Sequence, residues 1–161
     1  MKESMESVRA FHVKHNFPVD VDLRTLNDPE AKDLLTDASI DLLRIAKTLE
    51  SALEKNDDPR IRRTSLMIEE LGESVEALLA CDEVALLDGL SDLAYVTNGT
   101  AVAFNLPLEK GVREVCKSNM TKAVRDPSDK RLRNKGESFV APDLKRVLND
   151  ARQRSFGAFE K

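Results

Sequence analysis

The strongest constraint on the fold is a helix-start signal that occurs twice, each time ahead of a long apolar stripe. Asp28 and Asp58 are each followed by a proline, and an Asp-Pro pair is typical of a helix N-cap followed by the first helical residue. Behind each pair, apolar residues recur every three or four positions. This spacing predicts two long amphipathic helices, the first ending at about Lys55.

A third core helix is predicted to begin after Asp82 and is apolar on almost every side. We therefore expect it at the centre of a bundle. Short turns between these helices favour antiparallel neighbours, so the predicted fold is all-α, an antiparallel bundle of about four core helices with short flanking helices. The other predicted helices span about 2–15, 108–121 and 142–148.

We predict one domain over residues 1–161. Its core covers about 28–122, a basic loop covers 123–140, and a short helix with a tail covers 141–161. The basic loop carries cations that could close over a polyphosphate, although surface solubility is the simpler explanation; they are Arg125, Lys130, Arg131, Arg133 and Lys135.

Composition narrows the class of protein. The 161 residues are 41% hydrophobic and only 4% aromatic, without tryptophan, and the formal net charge is -4, which favours a helical core and argues against a partner such as a nucleic-acid polymer or a membrane. Cys81 and Cys116 lack the spacing of a disulfide framework or a zinc site. With no apolar run near the roughly 20 residues of a membrane span, we expect a cytoplasmic protein.

The first acidic cluster lies in the second long helix. Glu69, Glu73 and Glu76 are stacked at i, i+4 and i+7 on that helix, with Glu70 beside Glu73 at i+3, and all lie off its apolar stripe. Taken alone, a solvated acidic face explains them, because helices commonly expose glutamate. Carboxylates on two facing helices could instead hold a divalent cation, since Mg²⁺ prefers oxygen ligands and usually binds together with substrate phosphates.

The second acidic cluster, Asp88 and Asp92, lies in the third core helix among leucine, alanine and valine. A buried carboxylate without a partner costs several kcal/mol, so we expect Asp92 to be either neutralised by a cation from another helix or bound to a metal. An antiparallel turn near Asp82 would set both clusters opposite each other. The only histidines lie near the N-terminus, which excludes a ferritin-like di-iron site and leaves Mg²⁺, with Mn²⁺ possible.

The run Glu69-Glu70-Leu71-Gly72-Glu73 and the later segments 88–96 and 114–122 together resemble the all-α nucleoside triphosphate pyrophosphohydrolases, the MazG-like group, in its phosphoribosyl-ATP pyrophosphohydrolase-like branch. The first run matches the family motif E-E-x-x-E. Asp92 matches the aspartate of the second motif, E-x-x-D, but Gly89 stands where the glutamate belongs. Asp88, one residue earlier, is the candidate to replace it.

The resemblance implies a Mg²⁺-dependent enzyme that cleaves a nucleoside triphosphate or related nucleotide between the α and β phosphates. It implies catalytic roles for Glu69, Glu70 and Glu73, and a homodimer or higher homo-oligomer, because the family packs helices between subunits. The alternative is a non-catalytic nucleotide-binding or helical interaction protein of the same fold. The implied ligands are Glu70, Glu73, Asp88 and Asp92 for the metal, and Lys117, Asn119 and Lys122 for the nucleotide and its phosphates.

Overall fold

The computed structural model describes residues 2–124 and 135–156, with side chains for 3–124 and 135–153. Every regular element in these ranges is helical, so the predicted all-α class is confirmed. The α-helices are α1 (Lys2–Lys14), α2 (Pro29–Leu53), α3 (Pro59–Ala80), α4 (Glu83–Ala103), α5 (Leu108–Met120) and α6 (Leu144–Phe156), with one 3₁₀ turn at Leu23–Thr25.

The predicted N-caps are confirmed. The side chains of Asp28, Asp58 and Asp82 each accept a hydrogen bond from backbone N–H groups in the first turn of α2, α3 and α4. These bonds satisfy donors that have no partner within a helix. The sequence thus correctly predicted where the helices that carry the acidic clusters begin.

The described residues fall into two compact units. One unit, Asp22–Asn105, contains α2, α3 and α4, and α3 packs against both of the others. Small residues allow these helices to approach closely: the Ser65 hydroxyl donates to the Ala46 carbonyl at 3.0 Å, and Gly72 packs on the Leu43 side chain. Both contacts fit an antiparallel pair of helices.

The other unit contains α1, α5 and α6. The Lys14 ammonium donates to the Met120 carbonyl, which ties α1 to the end of α5. The Ser118 hydroxyl donates to the Val140 carbonyl at 2.7 Å and so fixes the segment that precedes α6. Helix α6 continues to Phe156, beyond the short helix that the sequence predicts.

The large apolar side chains of α4 are not enclosed by the single chain. Val84 is 79% exposed and Val102 is 81% exposed, and Leu87 and Tyr95 are similarly open. The expectation that an all-apolar α4 lies at the centre of a bundle is therefore wrong for one chain, because α3 is the only extensive packing partner of α4 among the described elements. None of the described helices is both long and apolar enough to span a membrane.

Candidate active site

Helices α3 and α4 hold the five predicted carboxylates in one antiparallel pair. A Cβ added to Gly89 of α4 would lie 2.8 Å from the Ser74 hydroxyl oxygen of α3, and one added to Gly99 would lie 2.8 Å from a guanidinium nitrogen of Arg63. Counting between these two contacts places Asp92 level with Glu70. The predicted juxtaposition of the two acidic clusters is therefore present.

The electrostatics of Glu70 support this arrangement. Burial raises the pKa of the half-buried Glu70 carboxyl, and the negative charges of four other carboxylates raise it further. Those four, in decreasing order of effect, are Glu73, Asp92, Glu69 and Asp88. The other four predicted carboxylates thus all interact electrostatically with Glu70.

Within the described residues, none of these five carboxylates forms an ion pair or a side-chain hydrogen bond. The sequence left open whether a lysine or arginine from another helix neutralises them. No cation is among the causes that shift the pKa of Glu70, so no described cation offsets the negative charges that act on this residue.

The expectation that Asp92 lies in apolar surroundings is wrong for the single chain. Asp92 is exposed, as is the nearby Leu90. Glu70, in contrast, is half-buried, and burial raises the pKa of its carboxyl. The sequence pattern misled because it shows which residues are apolar but not which of them a single chain can cover.

Gly89 departs from the family motif for a reason that the packing makes visible. It is buried, and a Cβ there would approach not only the Ser74 hydroxyl but also its backbone nitrogen at 3.2 Å and its Cα at 3.3 Å. A glutamate at this position would push against α3 rather than reach the carboxylates. Asp88, one residue earlier, is exposed and acts electrostatically on Glu70.

The donor set fits a hard divalent cation by its chemistry. Five carboxylates supply only oxygen ligands, and a bound cation would relieve the repulsion that raises the pKa of Glu70. In this conformation, no three His, Cys, Asp or Glu side chains of the described residues lie close enough together to hold one ion. The predicted metal ligands and catalytic residues, Glu69, Glu70, Glu73, Asp88 and Asp92, remain predictions.

Glu69 lies on the side of α3 that borders α2. It lines a cavity of about 390 Å³ between α2 and α3, whose wall includes Leu43, Lys47 and Ser65. Pockets that hold small ligands usually enclose about 300–1,000 Å³. Sequence reasoning missed this cavity, since no motif marks Lys47 or its neighbours.

The predicted phosphate-binding residues belong to the unit that contains α1 and α5. Lys117 and Asn119 lie in the last turn of α5, where the exposed Lys117 lines a cavity with Arg113 and Glu3, and Lys122 lies just after it. The Lys122 ammonium stands 5.8 Å from the centre of the Phe11 ring. The grouping of these three residues with the carboxylates remains a prediction.

The basic loop is described only in part. The Lys135 ammonium stands 5.0 Å from the centre of the Phe139 ring. Its interaction with an aromatic side chain already gives this lysine a local role. The other predicted lid cations, Arg125, Lys130, Arg131 and Arg133, lie outside the described residues.

Comparison with protein families finds a match, which lies within this helical part of the chain. Residues 44–119 match the family model Phosphoribosyl-ATP pyrophosphohydrolase, whose members belong to the all-α MazG-like superfamily. The predicted resemblance to this family is therefore confirmed over residues 44–119. The matched segment includes all five carboxylates, Lys117 and Asn119, but not Lys122.

The family supports a pyrophosphohydrolase function in general, and its members generally use divalent metal ions. No curated protein and no solved structure matched the chain. The substrate and the reaction details therefore have to be argued from the residues themselves.

Proposed function

We propose that this protein is a Mg²⁺-dependent nucleotide pyrophosphohydrolase, with Mn²⁺ as a possible substitute. It would cleave a nucleoside triphosphate or related nucleotide between the α and β phosphates, releasing a monophosphate and pyrophosphate. The observation that carries the proposal is the antiparallel register of α3 and α4, which brings four further carboxylates from the two helices around the half-buried Glu70, where their negative charges raise the pKa of its carboxyl. Such a concentration of unpaired negative charge, within a segment that matches the family, is what a cation site requires.

Four carboxylates would hold the metal. Glu70 and Asp92, which lie level across the helix pair, would provide ligands from α3 and α4, with Glu73 and Asp88 beside them. When bound, Mg²⁺ supplies positive charge to the phosphates and lowers the pKa of a coordinated water. Asp88 takes the part of the absent glutamate at position 89.

Glu69 would position the attacking water and accept its proton. The water oxygen forms a bond to the α phosphorus, and the bond from that phosphorus to the oxygen that bridges the β phosphorus breaks. Pyrophosphate leaves with the bridging oxygen. The family pattern and the action of the Glu69 charge on the neighbouring Glu70 support this role.

Lys117 and Lys122 would stabilise negative charge on the phosphates, and Asn119 would bind the base or sugar through its carboxamide. This assignment rests on the family pattern and on the type of each side chain. The match to the family model includes Lys117 and Asn119.

The test is pyrophosphate release from a broad nucleotide panel, with and without Mg²⁺. Glu73→Gln should lower Mg²⁺-dependent release by two orders of magnitude or more. Glu76→Gln is the matched control, since Glu76 is another exposed glutamate of α3 that has no part in the cluster around Glu70. Absence of Mg²⁺-dependent product from every nucleotide, with a folded protein, would favour the non-catalytic alternative.

We also propose that the protein forms a homodimer or a higher homo-oligomer through α4. The exposed apolar side chains of this helix, with Val84, Leu87 and Val102 among them, form the kind of surface that a monomer rarely leaves open. Val102→Asp should shift the mass measured by sedimentation equilibrium toward that of one chain. A mass equal to that of one chain for the unsubstituted protein would contradict the proposed assembly.

A further inference from the structure

Arg63, in the second turn of α3, lies in the groove between α3 and α4. Its side chain is half-buried and extends onto the α4 backbone at Gly99, where a guanidinium nitrogen would lie 2.8 Å from an added Cβ. With glycine at position 99, the guanidinium lies against the α4 backbone without meeting a side chain at that position. The absence of a side chain at position 99 therefore gives Arg63 its access to the groove.

The neighbouring arginines have partners, whereas Arg63 has none among the described residues. Arg60 pairs with Asp58, and Arg62 pairs with Asp57 at 2.6 Å. Arg63 forms no ion pair or hydrogen bond within residues 3–124 and 135–153. A partly buried cation without a partner is costly, so its position calls for an anion that is bound only in the functional state.

Arg63 lies on the same side of α3 as Glu70. Seven residues, about two helical turns, separate them, which corresponds to about 10 Å along the helix axis. Gly99 is likewise seven residues beyond Asp92 on α4. The groove therefore has a carboxylate cluster at one level and an unpaired guanidinium two turns away.

We propose that Arg63 binds the β and γ phosphates of the substrate, which leave as pyrophosphate. This inference rests on the proposed function for the position of the reacting phosphate. A guanidinium suits this task because its planar N–H groups match phosphate oxygens in bidentate geometry. The alternative is that the aliphatic part of Arg63 merely packs on α4 while its charge meets water.

The experiment is calorimetric binding of inorganic pyrophosphate and of tripolyphosphate in the presence of Mg²⁺, which requires no turnover. Arg63→Met keeps the packing but removes the charge, and should weaken the binding of both anions about tenfold or more. Arg63→Lys should recover part of the affinity, since it restores the charge but not the bidentate geometry. Arg62→Met, a loss of the same charge from the adjacent exposed position, should stay within about twofold of the unsubstituted protein.

Binding by Arg63→Met within about twofold of the unsubstituted protein would overturn the inference, as would an equal loss in Arg62→Met. If Arg63→Met does not fold, Gly99→Ala replaces it, because the added methyl displaces the guanidinium without changing any charge. Gly99→Ala should then lower pyrophosphate affinity, and unchanged affinity would overturn the inference.

The proposed hydrolysis and the role of Arg63 fail in distinguishable ways. Pyrophosphate binding that depends on Arg63, without release of pyrophosphate from any nucleotide, would reject the hydrolysis and support the anion site. Release of pyrophosphate with kcat and KM unchanged in Arg63→Met would support the hydrolysis and reject the anion site.

Discussion

Replacement of Gly89 tests whether the departure from the family motif is a packing requirement. In Gly89→Ala, the new methyl group meets the Ser74 hydroxyl at 2.8 Å and the Ser74 backbone at 3.2 Å and 3.3 Å. Helix propensity favours alanine by about 1 kcal/mol, but overpacking against a backbone that cannot yield costs about 1–3 kcal/mol. Gly99→Ala is the matched control in the same helix, because its only close neighbour, apart from α4 itself, is the flexible end of Arg63.

The two variants share the gain in propensity, so their difference isolates the strain at Gly89. We expect Gly89→Ala to be about 2 kcal/mol less stable than Gly99→Ala, or about 4–8 °C lower in Tm for a chain of this size. Gly89→Glu, which restores the family residue, should be less stable still, because a buried carboxylate adds several kcal/mol. Urea denaturation and thermal scans measure both effects.

Equal or greater stability of Gly89→Ala relative to Gly99→Ala would refute the packing argument. So would a Gly89→Glu protein that unfolds at the temperature of the unsubstituted chain and binds Mg²⁺ more tightly. In that case position 89 would face the carboxylates, and Asp88 would lose its role as the replacement ligand.

Two further predictions concern the same helix pair. Burial and like charges raise the pKa of Glu70 in the folded state, so the stability contributed by this group is lost as pH rises through that pKa. Glu70→Gln should therefore have a higher Tm than the unsubstituted protein at pH 7 in EDTA. This difference in Tm should shrink as the pH is lowered. A lower Tm for Glu70→Gln across that pH range would show that the cluster is not repulsive. The Asp82 carboxylate accepts hydrogen bonds from the Val84 and Ala85 N–H groups at 2.9 Å and 3.0 Å. Asp82→Ala should therefore lower the free energy of unfolding measured in urea by about 1 kcal/mol, and Asp82→Asn should lower it much less. Equal losses of stability in the two variants would indicate that the cap is not what stabilises the start of α4.

The sequence predicted the helices well because their signals are local. The carboxylates at 28, 58 and 82 can cap only the turns that follow them, and proline cannot occupy most positions within a helix. The C-terminal end of α6 was harder to predict from the sequence, since the last turns of this helix are polar and carry no termination signal before Phe156.

The candidate site was predictable in its composition but not in its exposure. Residue spacing placed the two acidic clusters on facing helices, and the register set by Gly89 and Ser74 agrees. Which carboxylate loses contact with solvent depends on how the helices cover each other, and the sequence does not show this. The sequence pattern predicted apolar surroundings for Asp92, whereas in the structure Glu70 is the more buried of the two. Arg63 was missed because its significance depends on a glycine 36 positions away on another helix.

The most direct test of the central claim is calorimetric titration of the protein with Mg²⁺ and Mn²⁺, alongside the variant that combines Glu70→Gln with Asp92→Asn. If α3 and α4 share one metal site, the unsubstituted protein gives a saturable heat of binding that the double variant loses while it remains folded. A heat of binding that survives both substitutions would contradict the account, because the metal would then be held by other residues.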